Sequence, residues 1–358
     1  MKRTMLMKYA VASGGDSAMY SYVNTFWLFY MTTVAGIPPA AAGAVTAIGV
    51  VTHAAAAPFF AGWSDRSRHR LGRRRPFLLF SALPLGFFLC CMFAKLPLAE
   101  PYRLIALLLF GIGFWIAFAA FFIPHLAWGA EIAADYHERT AIRTFSFVMY
   151  GAGVLIGNAL PTVVLDKFTA EGLGETAAWL LFTVILAFFS TGSILFTGAS
   201  IREQPARGDR PLEKFSLKSL AADYWQVMKL RPLRLLTCAV AAFLIANTVI
   251  VADRMYVFTF KMGYSGTSIS LIMIFFGLLG IALSAPMMKL AKRFDKRTML
   301  VACLGVSGCL IFAMRFVGIS SLPALLFFMC VFVTASTAYW QLIPAAFYDI
   351  CEVDEYEN

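Results

Sequence analysis

Ten apolar runs, each about 20 residues long or longer, follow one another along this chain, near residues 8–35, 39–64, 76–95, 103–130, 143–166, 177–200, 233–258, 267–290, 298–318 and 321–348. At a rise of 1.5 Å per residue, about 20 residues cross the hydrocarbon of a bilayer, where every backbone N–H and C=O must find its partner inside the protein. A helix meets that demand alone and a lone strand does not. The chain is therefore expected to be an all-α polytopic membrane protein. With 60% hydrophobic and 14% charged residues, a water-soluble domain could not cover its apolar surface.

Basic residues decide which way the runs face. Arginine and lysine are retained on the cytoplasmic side, and here they cluster in every second connection. The densest stretch is Gly62 to Phe77, where six arginines and one aspartate separate two apolar runs. The other connections, Ile37 to Pro39, Lys95 to Arg103, Asp166 to Glu175 and Lys261 to Thr267, are short and nearly uncharged or acidic. Both patterns put the N-terminus in the cytoplasm of a multi-pass protein of the plasma (inner) membrane. Orientation thus accounts for the net charge of +10, with the lipid bilayer as partner and no nucleic acid. The start of the chain, basic at Lys2, Arg3 and Lys8, is too long and too polar for a cleaved signal and reads as the first spanning helix. Seven cysteines lie in or beside apolar runs without metal-like spacing, and no phosphate loop or catalytic triad occurs, so no metal, cofactor or enzymatic chemistry is expected.

The longest polar stretch, a cytoplasmic linker at 201–232, separates an N-terminal six-helix bundle at 1–200 from a partial C-terminal bundle of four helices at 233–358. The halves echo each other at a spacing of about 220 residues: Ile123-Pro124 returns as Ile343-Pro344, Asp135-Tyr136 as Glu355-Tyr356 and Arg74-Arg75 as Lys296-Arg297. Duplication of this kind is the plan of many secondary transporters. A six-plus-six arrangement has two more helices, so the chain is expected to be truncated after helix ten, in the acidic stretch ending at Asn358.

Asp65 stands at the exit of the second run, where the carbonyl end of the helix dipole disfavours a carboxylate by roughly 0.3–1 kcal/mol. It needs a cation, and Arg66, Arg70 or Arg73 could supply one. Pro76 suits the first turn of the following helix, where an amide hydrogen would have gone unpaired. The stretch is either a solvated basic loop or a latch holding helix ends together on one face of a moving protein.

Gly15-Asp16, Phe29-Tyr30, Gly36-Ile37, Pro58, Gly62, Ser64-Asp65-Arg66 and Gly72 to Phe77 resemble the glycoside-pentoside-hexuronide:cation symporters, the melibiose-permease-like branch of the major facilitator superfamily. Pro124, Trp128 to Ile132 and Asp135 to Thr140 are similar to the exit of that family's fourth helix, and Asp349 to Asn358 to the stretch before its last two helices. The resemblance covers nearly the whole chain. It implies the major facilitator fold with ten of an expected twelve helices present, and a cytoplasmic gate drawn from Asp65, Arg66, Arg70, Arg73, Arg74, Glu131, Asp135 and Arg139. It does not carry over the sodium site. Where melibiose-type members present two aspartates on helix two, this chain has His53 and Ala57; a helix-four aspartate is replaced by Phe122, and an acidic residue at the end of helix one by Thr33. Sodium wants several hard oxygen ligands, as divalent cations do, and an imidazole and a methyl group supply none.

The polar groups within the runs are the remaining candidates. Asp16 lies roughly 12 Å along the first helix from Lys8, and His53 roughly 18 Å from Asp65, so both fall in the middle third of the bilayer. An intramembrane carboxylate costs roughly 2.5–3.5 kcal/mol on insertion scales and marks a functional position facing the bundle interior, for substrate or proton, unless it is a structural pair. His53 is either a coupling group or a neutral packing residue. Tyr20, Asn24 and Trp27 step along the first helix from Asp16 and offer hydrogen bonds and an aromatic platform of the kind sugar rings use. Trp115, His125 and Trp128, Asn158, Asn247 and Trp340 would line the same cavity or serve as helix contacts. The function expected is a secondary active transporter for a small polar solute, a sugar or glycoside, working by alternating access with a coupling cation, a proton favoured over sodium. The alternatives are an amphipathic lipid-like solute, an uncoupled uniporter, and a non-transporting sensor, scaffold or decayed fragment.

Overall fold

The computed structural model describes residues 3–132, 136–202, 231–291, 293–294 and 296–357. Among the described residues there are ten long helices and no strand: α1 (Arg3–Thr33), α2 (Pro39–Arg66), α3 (Arg75–Met92), α4 (Tyr102–Ile132), α5 (Tyr136–Ala170), α6 (Glu175–Ser200), α7 (Arg231–Tyr256), α8 (Gly266–Ala291), α9 (Lys296–Val317) and α10 (Leu322–Glu357). Each of the ten expected runs corresponds to one helix, those near 8–35, 76–95, 298–318 and 321–348 overshooting it by one to three residues, and α7 is prolonged by the π-helical turn Val257–Lys261. Three helices outrun their apolar runs. α1 starts at Arg3, α5 at Tyr136, and α10 continues through the acidic stretch to Glu357. Apolarity marks only the part of a helix that meets lipid, and none of these extensions contains a glycine or a proline after Pro344 to stop it. Among the described residues eight helices are long and apolar enough to cross a membrane, and the protein is an integral multi-pass membrane protein.

The chain divides into two compact units, Met1–Glu213 and Lys214–Asn358. In the first, α1 is the least lipid-like helix because it is the one the others surround: it packs on α5, α6 and α2. Several of its polar groups find partners on its neighbours. Thr197 Oγ1 on α6 donates to the Lys8 carbonyl at 2.7 Å and accepts the Ala12 N–H, and the Tyr22 and Thr183 hydroxyls meet at 2.8 Å. The contact with α5 is closer still. Cβ atoms added at Gly153 and Gly157 would lie 2.0 Å from the Gly14 carbonyl oxygen and 2.2 Å from that of Ala18, so the two backbones touch. Ser17 Oγ donates to the Tyr150 carbonyl at 2.9 Å across the same seam. α4 packs on both α2 and α3, and α3 on α6.

In the second unit α10 packs on α8, α9 and α7. Its core joins Met287, Met299, Leu300, Tyr339 and Leu342, with Phe243 stacked on Tyr339 at 3.9 Å between ring centroids. The pairs α8 with α10 and α9 with α10 repeat the pairs α2 with α4 and α3 with α4, six helices on, as a duplicated plan requires.

Candidate functional site

Midway along the first unit, α1, α2 and α4 bring Tyr20, His53 and Trp115 together. The His53 ring lies 5.4 Å from Trp115 and 5.5 Å from Phe118, and Tyr20 stacks on Phe118 at 5.6 Å while meeting Trp115 edge-on at 6.1 Å. Gly49 makes room for the indole, since a Cβ there would lie 2.6 Å from Trp115 Cδ1 and Nε1. Two polar atoms in this group have no hydrogen bond among the described residues. His53 Nε2 is buried without a partner, and the Tyr20 hydroxyl makes no bond on a side chain that is 37% exposed. One turn before Tyr20, Asp16 is 4% exposed, and neither a hydrogen bond nor an ion pair reaches its carboxylate among the described residues. Tyr20 and Tyr150 of α5 lie close enough to feel its charge.

The other expected lining residues are engaged elsewhere. Asn24 donates to the Tyr20 carbonyl of its own helix at 2.7 Å. Asn158 accepts from Thr25 Oγ1 at 2.7 Å and belongs to the α1 and α5 seam. Trp27 is buried against Tyr30 and Phe93 in an aromatic cluster toward the far end of α1, with Tyr22 and Trp179. His125 and Trp128 gather around Tyr9 at the start of α1: Tyr9 stacks on His125 at 4.4 Å, meets Trp128 at 6.4 Å and donates its hydroxyl to the His125 carbonyl at 2.7 Å. Gly129 admits that hydroxyl, which would sit 2.3 Å from a Cβ. Asn247 and Trp340 belong to the second unit; Asn247 is half-buried on α7, and Trp340 is 58% exposed beside the buried Tyr339. Phe118, Tyr150 and Tyr9 were not singled out from the sequence, where one aromatic among many carries no signal of its own.

At the opposite end of α2 an ion cluster joins three helix ends. Asp65 Oδ1 receives Nη2 of Arg73 at 3.1 Å and Nη2 of Arg74. Glu131 Oε1, at the exit of α4, receives Arg73 Nη2 at 3.1 Å, Arg74 Nη2 at 2.8 Å and Arg74 Nε at 3.2 Å. Arg74 Nη1 also donates to Ser64 Oγ. Arg74 is 4% exposed, whereas Arg73, Glu131 and Asp65 are 34%, 39% and 52% exposed. Asp65 is therefore partnered by Arg73, as the sequence allowed, and by Arg74 more deeply. Arg70 stands apart, exposed and without an ion pair among the described residues. Arg66 is half-buried at the last turn of α2. Asp135 and the side chain of Arg139 lie outside the described residues. Arg75, which the sequence did not distinguish from its neighbours, ties in a fourth helix: its Nε donates to the Gly198 carbonyl at 2.6 Å, at the C-terminal end of α6 where carbonyls lack helical partners.

Among the described residues, ten long helices in two units share their fold with solved structures. The bacterial homolog of the human lysosomal transporter Spinster, inward-facing and unoccupied, gives a TM-score of 0.71 at 14% identity, covering 97% of this chain and 75% of that one. The D-xylose-proton symporter gives 0.59 at 16% identity, covering 94% and 78%. The chain belongs to the MFS/sugar transport protein family, whose sequence profile it matches over residues 8–358. Among curated relatives, the inner membrane symporter YicJ of Escherichia coli K12 is 25% identical over 231 residues, 64% of this chain and 49% of its own. The isoprimeverose transporter of Lactiplantibacillus pentosus is 24% identical over 227 residues, 62% of this chain and 47% of its own. The chain thus spans about half the length of these relatives, and 69% of the glucuronide carrier protein homolog of E. coli, at 24% identity over 335 residues.

Proposed function

We propose that the chain acts as a secondary transporter of a sugar or glycoside, coupled to a cation, with the solute held among α1, α2 and α4 and the cytoplasmic side closed with the help of the ion cluster. The observation that carries this reading is the buried, unpaired carboxylate of Asp16 one turn from a group of rings with unused hydrogen-bonding atoms. A sugar offers apolar ring faces for stacking and hydroxyls for directed hydrogen bonds, and such a pairing of aromatic surface with a few polar groups is what binds it. Relatives named for isoprimeverose and glucuronide transport favour a glycoside in particular. The coupling ion is a proton. His53 offers no oxygen ligand for sodium, while histidine is the side chain that changes charge near neutral pH, and Asp16 is a second group able to carry a proton at similar depth.

The experiment is initial uptake of labelled glycosides into proteoliposomes with imposed gradients. An inward proton gradient should raise uptake several-fold, and a sodium gradient should leave it unchanged. His53→Ala should lose the response to pH, and Asp16→Asn should lose most uptake. Sodium-driven accumulation overturns the proton reading. Equilibration that ignores pH and survives in both variants would instead make the protein a uniporter.

A further inference from the structure

The loop between α2 and α3 does not stand out into water. His69 meets Phe80 edge-on, with ring centroids 6.1 Å apart, and its Nδ1 accepts the Leu71 N–H at 3.1 Å, which orders the tip. Gly72, at φ +111, then turns the chain into α3. Phe80 is 67% exposed and begins the stripe Phe80, Leu83 and Phe87 on the side of α3 away from its buried residues Leu78, Ala82 and Leu85. Phe80 lies about 7.5 Å along the helix from Arg75, so a loop side chain that touches it sits where headgroups meet acyl chains. On the α2 side Trp63, 55% exposed, meets Phe77 edge-on at 5.3 Å, and tryptophan at this height is a mark of the membrane interface. Arg68 and Arg70 flank His69. Both are exposed and make no hydrogen bond or ion pair among the described residues, unlike the arginines that follow Gly72.

We propose that Ser67 to Leu71, together with Phe80, form a seat for an anionic phospholipid, its phosphate bridging Arg68 and Arg70 and an acyl chain lying along Phe80 and Leu83. Charge complementarity and position favour a lipid over a protein segment: two unpaired guanidinium forks, which match phosphate oxygens, stand at the head of an apolar stripe that runs into the bilayer. The same loop delivers Arg73 and Arg74 to the ion cluster, so a bound lipid holds it where the cluster forms. The seat requires only a membrane surface; that this is the inner one rests on the orientation argued above.

The test uses the full chain in phosphatidylcholine nanodiscs containing either brominated phosphatidylglycerol or brominated phosphatidylcholine. Bromine quenches nearby tryptophan, and the difference between the chain and Trp63→Phe reports on Trp63. Phosphatidylglycerol should quench it several-fold better at equal mole fraction. That preference should disappear in Arg68→Gln with Arg70→Gln, persist in the corresponding lysine variants, and weaken with salt. Phe80→Ala should reduce it with all charges in place. Equal quenching by the two lipids, or a preference that survives the glutamine pair, overturns the seat. So does a preference abolished by inorganic phosphate, which would indicate a site for a free anion, or capture of an acidic soluble protein by the loop without lipid preference. None of these outcomes depends on which leaflet the loop faces, so they are separable from a failure of orientation.

Discussion

Arg74 and Arg73 share both carboxylates of the ion cluster, yet burial separates them. Arg74 is enclosed and makes bonds to Ser64, Asp65 and Glu131, whereas Arg73 is a third exposed and competes with water. Arg74→Gln should therefore lower stability by about 2 kcal/mol, the scale of hydrogen bonds to charged groups reduced for partners that keep some solvent. Arg73→Gln should cost at most about 1 kcal/mol. Thermal unfolding of the detergent-solubilised protein distinguishes them, and equal midpoints for the two variants would mean that burial of Arg74 does not matter. Asp65→Asn leaves Arg74 its bond to Glu131. It should preserve insertion and shift the balance toward open inner-face states, read as faster modification of a cysteine at that face. Unchanged uptake and accessibility would reduce the stretch to a solvated basic loop.

At the scale of elements, the seam of α1 and α5 sets backbone against backbone. A methyl group at Gly153 has no space, since the Gly14 carbonyl and the Ser17 hydroxyl already occupy it. Gly151, two residues earlier, faces open space. Gly153→Ala should separate the helices at a cost of about 1–3 kcal/mol, and Gly151→Ala should be tolerated. Yield of monodisperse protein and the unfolding midpoint measure the difference; similar losses in both would show that helix propensity rather than the seam is at stake. Gly49 makes a related prediction at the candidate solute site. A methyl group there displaces the Trp115 indole, so Gly49→Ala should weaken glycoside uptake while the fold survives, with the apparent affinity as readout.

For the whole molecule, orientation governs everything else. From the alternation of basic and neutral connections, the loop after α2 is expected in the cytoplasm. A cysteine at Ser67→Cys should resist an impermeant thiol reagent in intact cells and react in inverted vesicles. Modification in intact cells would reverse the topology and, with it, the direction of the coupling gradient.

The number and order of the helices were legible in the sequence because lipid demands long apolar runs, and such runs are local, whereas the polar extensions of α1, α5 and α10 carry no such signal. The ion cluster was half legible. Charge at a helix exit asks for a partner, so Asp65 could be set against Arg66, Arg70 or Arg73, and the family resemblance added Arg74 and Glu131, but that Arg74 is the buried partner, and that Ser64 and the carbonyl of Gly198 take part, required knowing which ends lie side by side. In the membrane interior the pattern carried less. Polar residues on α1 look alike as a list, and only packing separates Ser17, Tyr22 and Thr25, which meet partners on neighbouring helices, from Asp16, which nothing satisfies among the described residues. Tertiary structure likewise split the aromatic residues of α4, sending Trp115 to His53 and Trp128 to Tyr9. The physical reason is range: the solvent acts on each segment separately and so writes itself into local composition, whereas a site is a meeting of side chains from different helices, decided by how those helices pack.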